Sequence, residues 1–111
     1  MGRFDATAEE PAFKFNLEED LLMIIKFFAF IRDYTKTKET KMGKCETVEE
    51  LLKKLCSVYG KRFEEKIFTD GDLSAEIIIL VNGRHITHYN GIHTKLQEED
   101  EISIFPVVAG G

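Results

Sequence analysis

The sequence is short of almost everything that would give it chemistry of its own. It holds two cysteines, Cys45 and Cys56, eleven residues apart, with no second pair and no CxxC. Zinc sites and dithiol motifs need closely spaced ligand pairs, so neither is supported. Reduced thiols in a cytoplasmic protein are the expectation. Cys56 falls on the apolar face of a predicted helix as a small core residue, whereas Cys45 has no defined place.

Long apolar runs are missing too. The richest, "LLMIIKFFAFI", is eleven residues with a lysine inside it. That is too short to span a bilayer, and it lies behind a charged segment, unlike a signal h-region. The start "MGRFDA" offers Gly2 but has Ala6 where a myristoylation signal requires Ser or Thr. No membrane partner and no targeting address are expected.

There is no basic excess: the formal net charge is −5. Phosphate backbones are bound by clustered cations, so nucleic acid is not an expected partner. The lysines of "TKTKETKMGK" are interleaved with acids and read as a solvated edge or loop, a common guard against edge-to-edge pairing. Catalytic groupings are absent as well. His85, His88 and His93 lie in a loop region without cysteine or acidic partners at ligand spacing, so no metal site is expected. The carboxylates of the helix and of "QEEDE" have no histidine or nucleophile beside them and read as a solvated face. No P-loop or dinucleotide fingerprint occurs.

What is present is one domain's worth of chain, 111 residues. Residues 1–20 are acidic and without sustained period, and are read as an N-terminal extension; the alternation of Phe13, Phe15 and Leu17 allows one short added strand. From Leu21 to Ile31 the composition predicts a strand. Its alternation puts Ile25, Phe27, Ala29 and Ile31 on one face and Lys26, Phe28, Phe30 and Arg32 on the other. A hairpin through "DYTKTK" would lead into Glu39–Glu46.

"TVEELLKKLCSVYG" is the clearest helix. Thr47 is the N-cap and Glu50 its capping-box partner. Val48, Leu51, Leu52, Leu55, Cys56 and Tyr59 form one apolar stripe, and Gly60 suits a left-handed stop. "KRFEEKIF" adds a helical turn, and "TDGDLS" is a turn by its Asp-Gly chemistry. "AEIIILVNG" is a strand reversing at Asn82-Gly83 into "RHITHY". After the loop "NGIHTKLQEEDE" the last strand is "EISIFPVV". A hairpin, a helix and a closing strand make an α+β domain over residues 21–111: a mixed sheet with one main helix packed on it, the β-grasp arrangement.

The chain then ends "FPVVAGG". Pro106 is expected to end the strand's ladder pairing, leaving a five-residue tail on a rigid support. Without Cβ atoms, Gly110 and Gly111 fit a channel too narrow for any side chain. The Gly111 carboxylate is ionised at neutral pH. It is therefore a nucleophile toward the α-phosphate of ATP, and the acyl-adenylate so formed is open to a sulfur or amine nucleophile. The tail itself is the expected reactive group, and the domain its handle.

These residues carry a resemblance. "KFFAFIRD", "TVEELLKKL", "LVNGR" and "LQEEDEISIFPVVAGG", together spanning about residues 23–111, are similar to the ubiquitin-like sulfur carriers, nearest to the small subunit of molybdopterin synthase and including the thiamine sulfur carrier. The resemblance implies that Gly111 is adenylated by a ubiquitin-activating-type adenylyltransferase, which holds the ATP and magnesium. It implies a thiocarboxylate made with sulfur from a sulfurtransferase and delivered to a pterin precursor in the synthase's large subunit. This chain would bind no cofactor and would have no catalytic centre of its own.

Gly110 would keep the tail narrow, and Phe28, Arg32, Phe105, Pro106 and Val108 would face partner enzymes. Were the first and last strands neighbours, Phe28, Phe30 and Phe105 would make an exposed aromatic patch bordered by Arg32. The family commonly places two prolines after the aromatic, and here Val107 stands at the second. Related carriers serve thiamine, cysteine or tRNA, or are attached to lysines of other proteins, and a plain interaction module would keep the fold without the chemistry.

Overall fold

The computed structural model describes residues 22–107. Strand β1 is Met23–Phe27, with alternate residues buried. A short helix α1 (Ile31–Thr35) follows, and then β2 (Glu39–Met42), antiparallel to β1 with Ile25 opposite Thr40. Helix α2 is Val48–Tyr59 and α3 is Lys61–Ile67. A two-residue hairpin pairs β3 (Phe68–Thr69) with β4 (Asp72–Leu73) across Asp70-Gly71, both at positive φ. Strand β5 (Ile77–Val81) turns at Asn82-Gly83 into β6 (Arg84–His85), and β7 is Glu101–Pro106.

The main sheet runs β2-β1-β7-β5-β6. The first and last strands lie side by side and parallel, with Ile25 opposite Ile102 and Phe27 opposite Ile104. Their other neighbours are antiparallel. This is the expected β-grasp sheet. The lysines of 36–44 belong to its edge: Lys38 and Lys41 are exposed at or beside β2.

One face of the sheet makes the core. Ile25, Phe27, Ile79, Ile102 and Ile104 are buried there with Leu51, Leu52 and Leu55 of α2. Phe27 meets Tyr59 edge-on at 5.6 Å and Phe63 at 6.3 Å, which ties the end of β1 to both helices. Among the described residues, no helix is long and apolar enough to cross a membrane.

Helix α2 begins as its sequence predicts. Thr47 Oγ1 accepts the Glu50 amide at 3.2 Å, and Glu50 Oε1 accepts the Glu46 amide at 2.7 Å, one residue earlier than a standard capping box. Replacing Thr47 by Ala is expected to cost about 1 kcal/mol of stability, read as a lowered urea midpoint with an unchanged slope.

Four expectations need correction. The strand predicted to run to Ile31 ends at Phe27. Ala29 takes φ 54, and the carbonyls of Phe28, Ala29 and Phe30 accept the amides of Ile31, Arg32 and Asp33, starting α1. Ala29 is therefore exposed rather than inward. Gly60 has the expected positive φ of 98, but its ψ of −176 is extended. It takes the Cys56 carbonyl on its amide and gives its own carbonyl to Glu64, so one residue stops α2 and starts α3.

Cys56 departs from its expected core place, and Cys45, which had no defined place, takes one. Cys45 is buried, whereas Cys56 is only half-buried at the margin of the core. Lastly, Pro106 sits opposite Ile77, yet the Val107 amide still donates to the Glu76 carbonyl at 2.7 Å, so pairing continues one residue past the proline. The alternation of Phe13, Phe15 and Leu17 lies outside the described residues.

Candidate functional site

Among the described residues no helix covers the sheet's other face, and its chemistry is set by the register of its three central strands. Residues that alternate with the core positions meet there: Lys26 of β1 lies opposite Ser103 of β7, and Ser103 opposite Leu80 of β5. One row toward the end of β7, Phe105 lies opposite Ile78. Phe28 continues the line of β1, its amide donating to the Ile104 carbonyl at 3.1 Å.

That last bond sets Phe28 beside Phe105. The two rings stack with centroids 4.2 Å apart and planes 5° from parallel, both half-buried. Arg32 joins them from α1. Its Nε donates to the Phe27 carbonyl at 2.8 Å, and its guanidinium carbon stands 5.7 Å from the Phe28 ring centre. A strand alternation was expected to bring Arg32 there; a helical turn brings it instead. At the opposite end of the face Lys26 and Glu101 pair at 3.0 Å. The stack thus forms an apolar, cation-bordered patch at the end of the sheet where β7 terminates.

The remaining named residues divide. Phe30 does not join the stack: it is 41% exposed, with the Lys66 ammonium of α3 5.2 Å from its ring centre. Pro106 is buried on the core side, in the line of Ile102 and Ile104. Val107 is 45% exposed and begins the exit from the sheet. Val108, Gly110 and Gly111 lie outside the described residues. Four residues follow Val107, and a chain of that length reaches at most about 13 Å. Ile78 and Leu80 also belong to the open face, and the sequence reading did not name them. The run Ile77–Val81 is apolar at every residue, so no alternation marks them.

Neither thiol is poised for chemistry. Burial pushes the Cys56 thiol up to about 11, with the Glu64 carboxylate adding to it. Burial also raises Cys45, partly countered by Lys54, with Glu50 adding a smaller upward push. Thiols are reactive as thiolates, so alkylation of Cys56 in the folded chain is expected to keep accelerating as pH rises from 9 toward 11, where a free thiol has already levelled off. The sign for stability follows. The folded state holds this proton more tightly than the unfolded chain, so the contribution is complete below pH 9.0 and is lost as pH climbs through about 11.

Two of the histidines make side-chain contacts, one within a local turn and one to helix α2. His85 Nδ1 accepts the Thr87 amide at 3.1 Å, and His93 Nδ1 lies 3.7 Å from Glu49. Among the described residues no three His, Cys, Asp or Glu side chains converge as metal ligands.

Comparison with known proteins bears on this geometry. The ThiS family matches residues 25–111, so the match includes both rings of the stack, Arg32 and the two terminal glycines. A protein of Archaeoglobus fulgidus named as a sulfur carrier is 43% identical over 65 residues, covering 59% of this chain and 74% of its own. Small archaeal modifier protein 3 of Haloferax volcanii is 32% identical over 89 residues, covering 78% of this chain and 96% of its own. The solution structure of small archaeal modifier protein 1 from Methanosarcina acetivorans superposes with a TM-score of 0.72 at 35% identity, over 81% of this chain and 96% of that one. The family match spans most of the chain and the fold agrees, so the chain belongs to the ThiS family of ubiquitin-like sulfur carriers and modifiers.

Proposed function

We propose that this chain carries sulfur as a thiocarboxylate on Gly111 and donates it to a pterin precursor, as the small subunit of a molybdopterin synthase in the cytoplasm. The observation that carries the reading is the pairing of the stacked Phe28 and Phe105, flanked by Arg32, with a family match that runs through to Gly111.

Chemically, a Gly111 carboxylate oxygen attacks the α-phosphate of ATP in the activating partner and pyrophosphate leaves. A persulfide sulfur of a sulfurtransferase then attacks the acyl carbon and AMP leaves, and a thiol of that partner attacks the acyl disulfide so formed, releasing the thiocarboxylate and leaving a disulfide on the partner. This chain supplies the carboxylate and the docking surface; the partner supplies the nucleotide site and magnesium. The stack is preorganised, so little ordering entropy is lost when a partner covers it. A bound large subunit would then receive the tail a few residues beyond the patch.

Intact mass spectrometry of the chain purified from its native cell tests the carrier step. The expected species is heavier than the free acid by the difference between a sulfur and an oxygen atom. Co-purification of a large subunit tests the acceptor.

A second reading is favoured by the similarity to a small archaeal modifier protein. The same adenylate, attacked by a lysine amine, gives an isopeptide. It predicts lysine adducts of other proteins in lysate, all missing when Gly111 is deleted.

A further inference from the structure

Two Asn-Gly pairs occur in the chain, Asn82-Gly83 and Asn90-Gly91, and the fold holds them in opposite ways. Asn-Gly undergoes a self-reaction that needs only water. The glycine amide nitrogen attacks the asparagine side-chain carbonyl carbon, ammonia leaves, and a cyclic succinimide results. Water then opens the ring to aspartate or isoaspartate, with no change of oxidation state. Glycine permits the attack because no Cβ obstructs its nitrogen and its backbone is free to turn. Whether the reaction proceeds in a folded chain depends on whether the side-chain amide is free to meet that nitrogen.

Asn82 is clamped. It sits at φ 51 in the turn between β5 and β6, followed by Gly83 at φ 85. Its Nδ2 donates to Asp100 Oδ1 at 2.8 Å, and its Oδ1 accepts the Glu101 amide, also at 2.8 Å. Its own amide donates to the Glu101 carbonyl at 2.7 Å. Asp100 is fixed in turn, because its second oxygen accepts the Gln97 amide at 2.8 Å. Both polar atoms of the asparagine side chain are therefore committed to the start of β7.

Asn90 is exposed. Its backbone amide donates to Thr94 Oγ1 at 3.0 Å, but among the described residues no hydrogen bond fixes its side-chain amide.

We infer that Asn90-Gly91 is a site of spontaneous deamidation in the folded protein, and that the Asp100 clamp shields Asn82-Gly83 from the same reaction. The consequences differ between the two positions. Conversion of Asn82 would remove the donor and set two carboxylates against each other at the β7 junction. Conversion of Asn90 adds a negative charge beside Gly91, Ile92 and His93, which line a groove of about 540 Å³ shared with Val107 at the root of the tail. An aged chain thus carries a new charge close to the exit of its reactive end.

Tryptic cleavage after Arg84 and Lys95 puts the two pairs on separate peptides, so one digest reads both. When the folded full chain is incubated in mildly alkaline buffer, the 85–95 peptide is expected to gain the mass of deamidation while the 67–84 peptide does not. In urea both react at comparable rates. Asp100→Ala raises the Asn82 rate about tenfold, the factor expected for losing a hydrogen bond to a charged acceptor. Asp100→Asn keeps an acceptor oxygen and leaves the rate low.

Asn90 is the internal clock, since a variant that simply unfolds accelerates both peptides together. In that event the folded-against-urea comparison of the unaltered chain decides. An Asn82 that reacts equally fast folded and in urea would overturn the inference, as would an Asn90 that stays intact in the folded chain. An Asn82 rate unmoved by Asp100→Ala in a folded variant would overturn the clamp.

Discussion

Removal of Gly111 is expected to bring ATP–pyrophosphate exchange with the activating enzyme to background and to leave no thiocarboxylate. The shortened chain still ends in a glycine carboxylate, so its chemical groups are unchanged. Its reach is not. One extended residue spans about 3.3 Å, and in-line attack on a phosphorus atom tolerates far less; a misplacement of about 1 Å in such geometry costs around a hundredfold.

Appending an alanine to Gly111 should fail for a complementary reason. It moves the carboxylate outward by the same step and puts a methyl group in the narrow passage that the proposed function requires. Neither change is expected to touch the fold, because both lie beyond β7, which ends at Pro106, and beyond the bond from Val107 to Glu76. Thermal midpoints should match the unaltered chain. A thiocarboxylate on the uncleaved alanine-extended chain would overturn the requirement for a bare tail of fixed length.

The second large effect is expected at the stack. Phe105→Asp removes an aromatic partner packed at 4.2 Å and places a charge where a partner must exclude water. Central aromatic anchors lose about 2 kcal/mol or more when truncated, so affinity for the proposed large-subunit partner should fall at least about thirtyfold. The fold should survive, since an aromatic pair is worth about 0.5–1.5 kcal/mol beyond its burial and Phe105 is half-buried on the face without a helix. Arg32→Ala should act in the same direction but also frees the Phe27 carbonyl it holds. Binding measured by calorimetry, beside a thermal melt, separates the two effects. Loss of the folded state in Phe105→Asp would show that this ring belongs to the core.

Much of this was legible in the sequence, for local reasons. The Thr47 cap, the stripe from Val48 to Tyr59 and the Asn82-Gly83 reversal are written in short patterns whose physics does not depend on distant contacts. The meeting of Phe28 and Phe105 needed one further step, that the first and last strands be neighbours, and alternation then fixed which side they share.

What stayed hidden depends on tertiary context. Nothing in "FFAFI" announces that Ala29 adopts φ 54, because period-two spacing continues through it; the turn is set by Phe28 bonding to Ile104 and by the need to bury Ile31. The burial of Cys45 has a similar origin. Cys45 lies just before α2, under the sheet edge near Met42, a position no helical stripe predicts. Ile78 went unnoticed because "EIIIL" is apolar at nearly every residue, so its open-face members do not stand out.

The parallel pairing of β1 with β7 has a kinetic consequence. The last of the described strands occupies the middle of the sheet, with β1 on one side and β5 on the other. Without it the other four strands of that sheet form two separate hairpins with no shared ladder, and joining them closes a loop of most of the domain, which slows folding. A chain cut short of β7 would therefore lack both the closed sheet and the platform of rings.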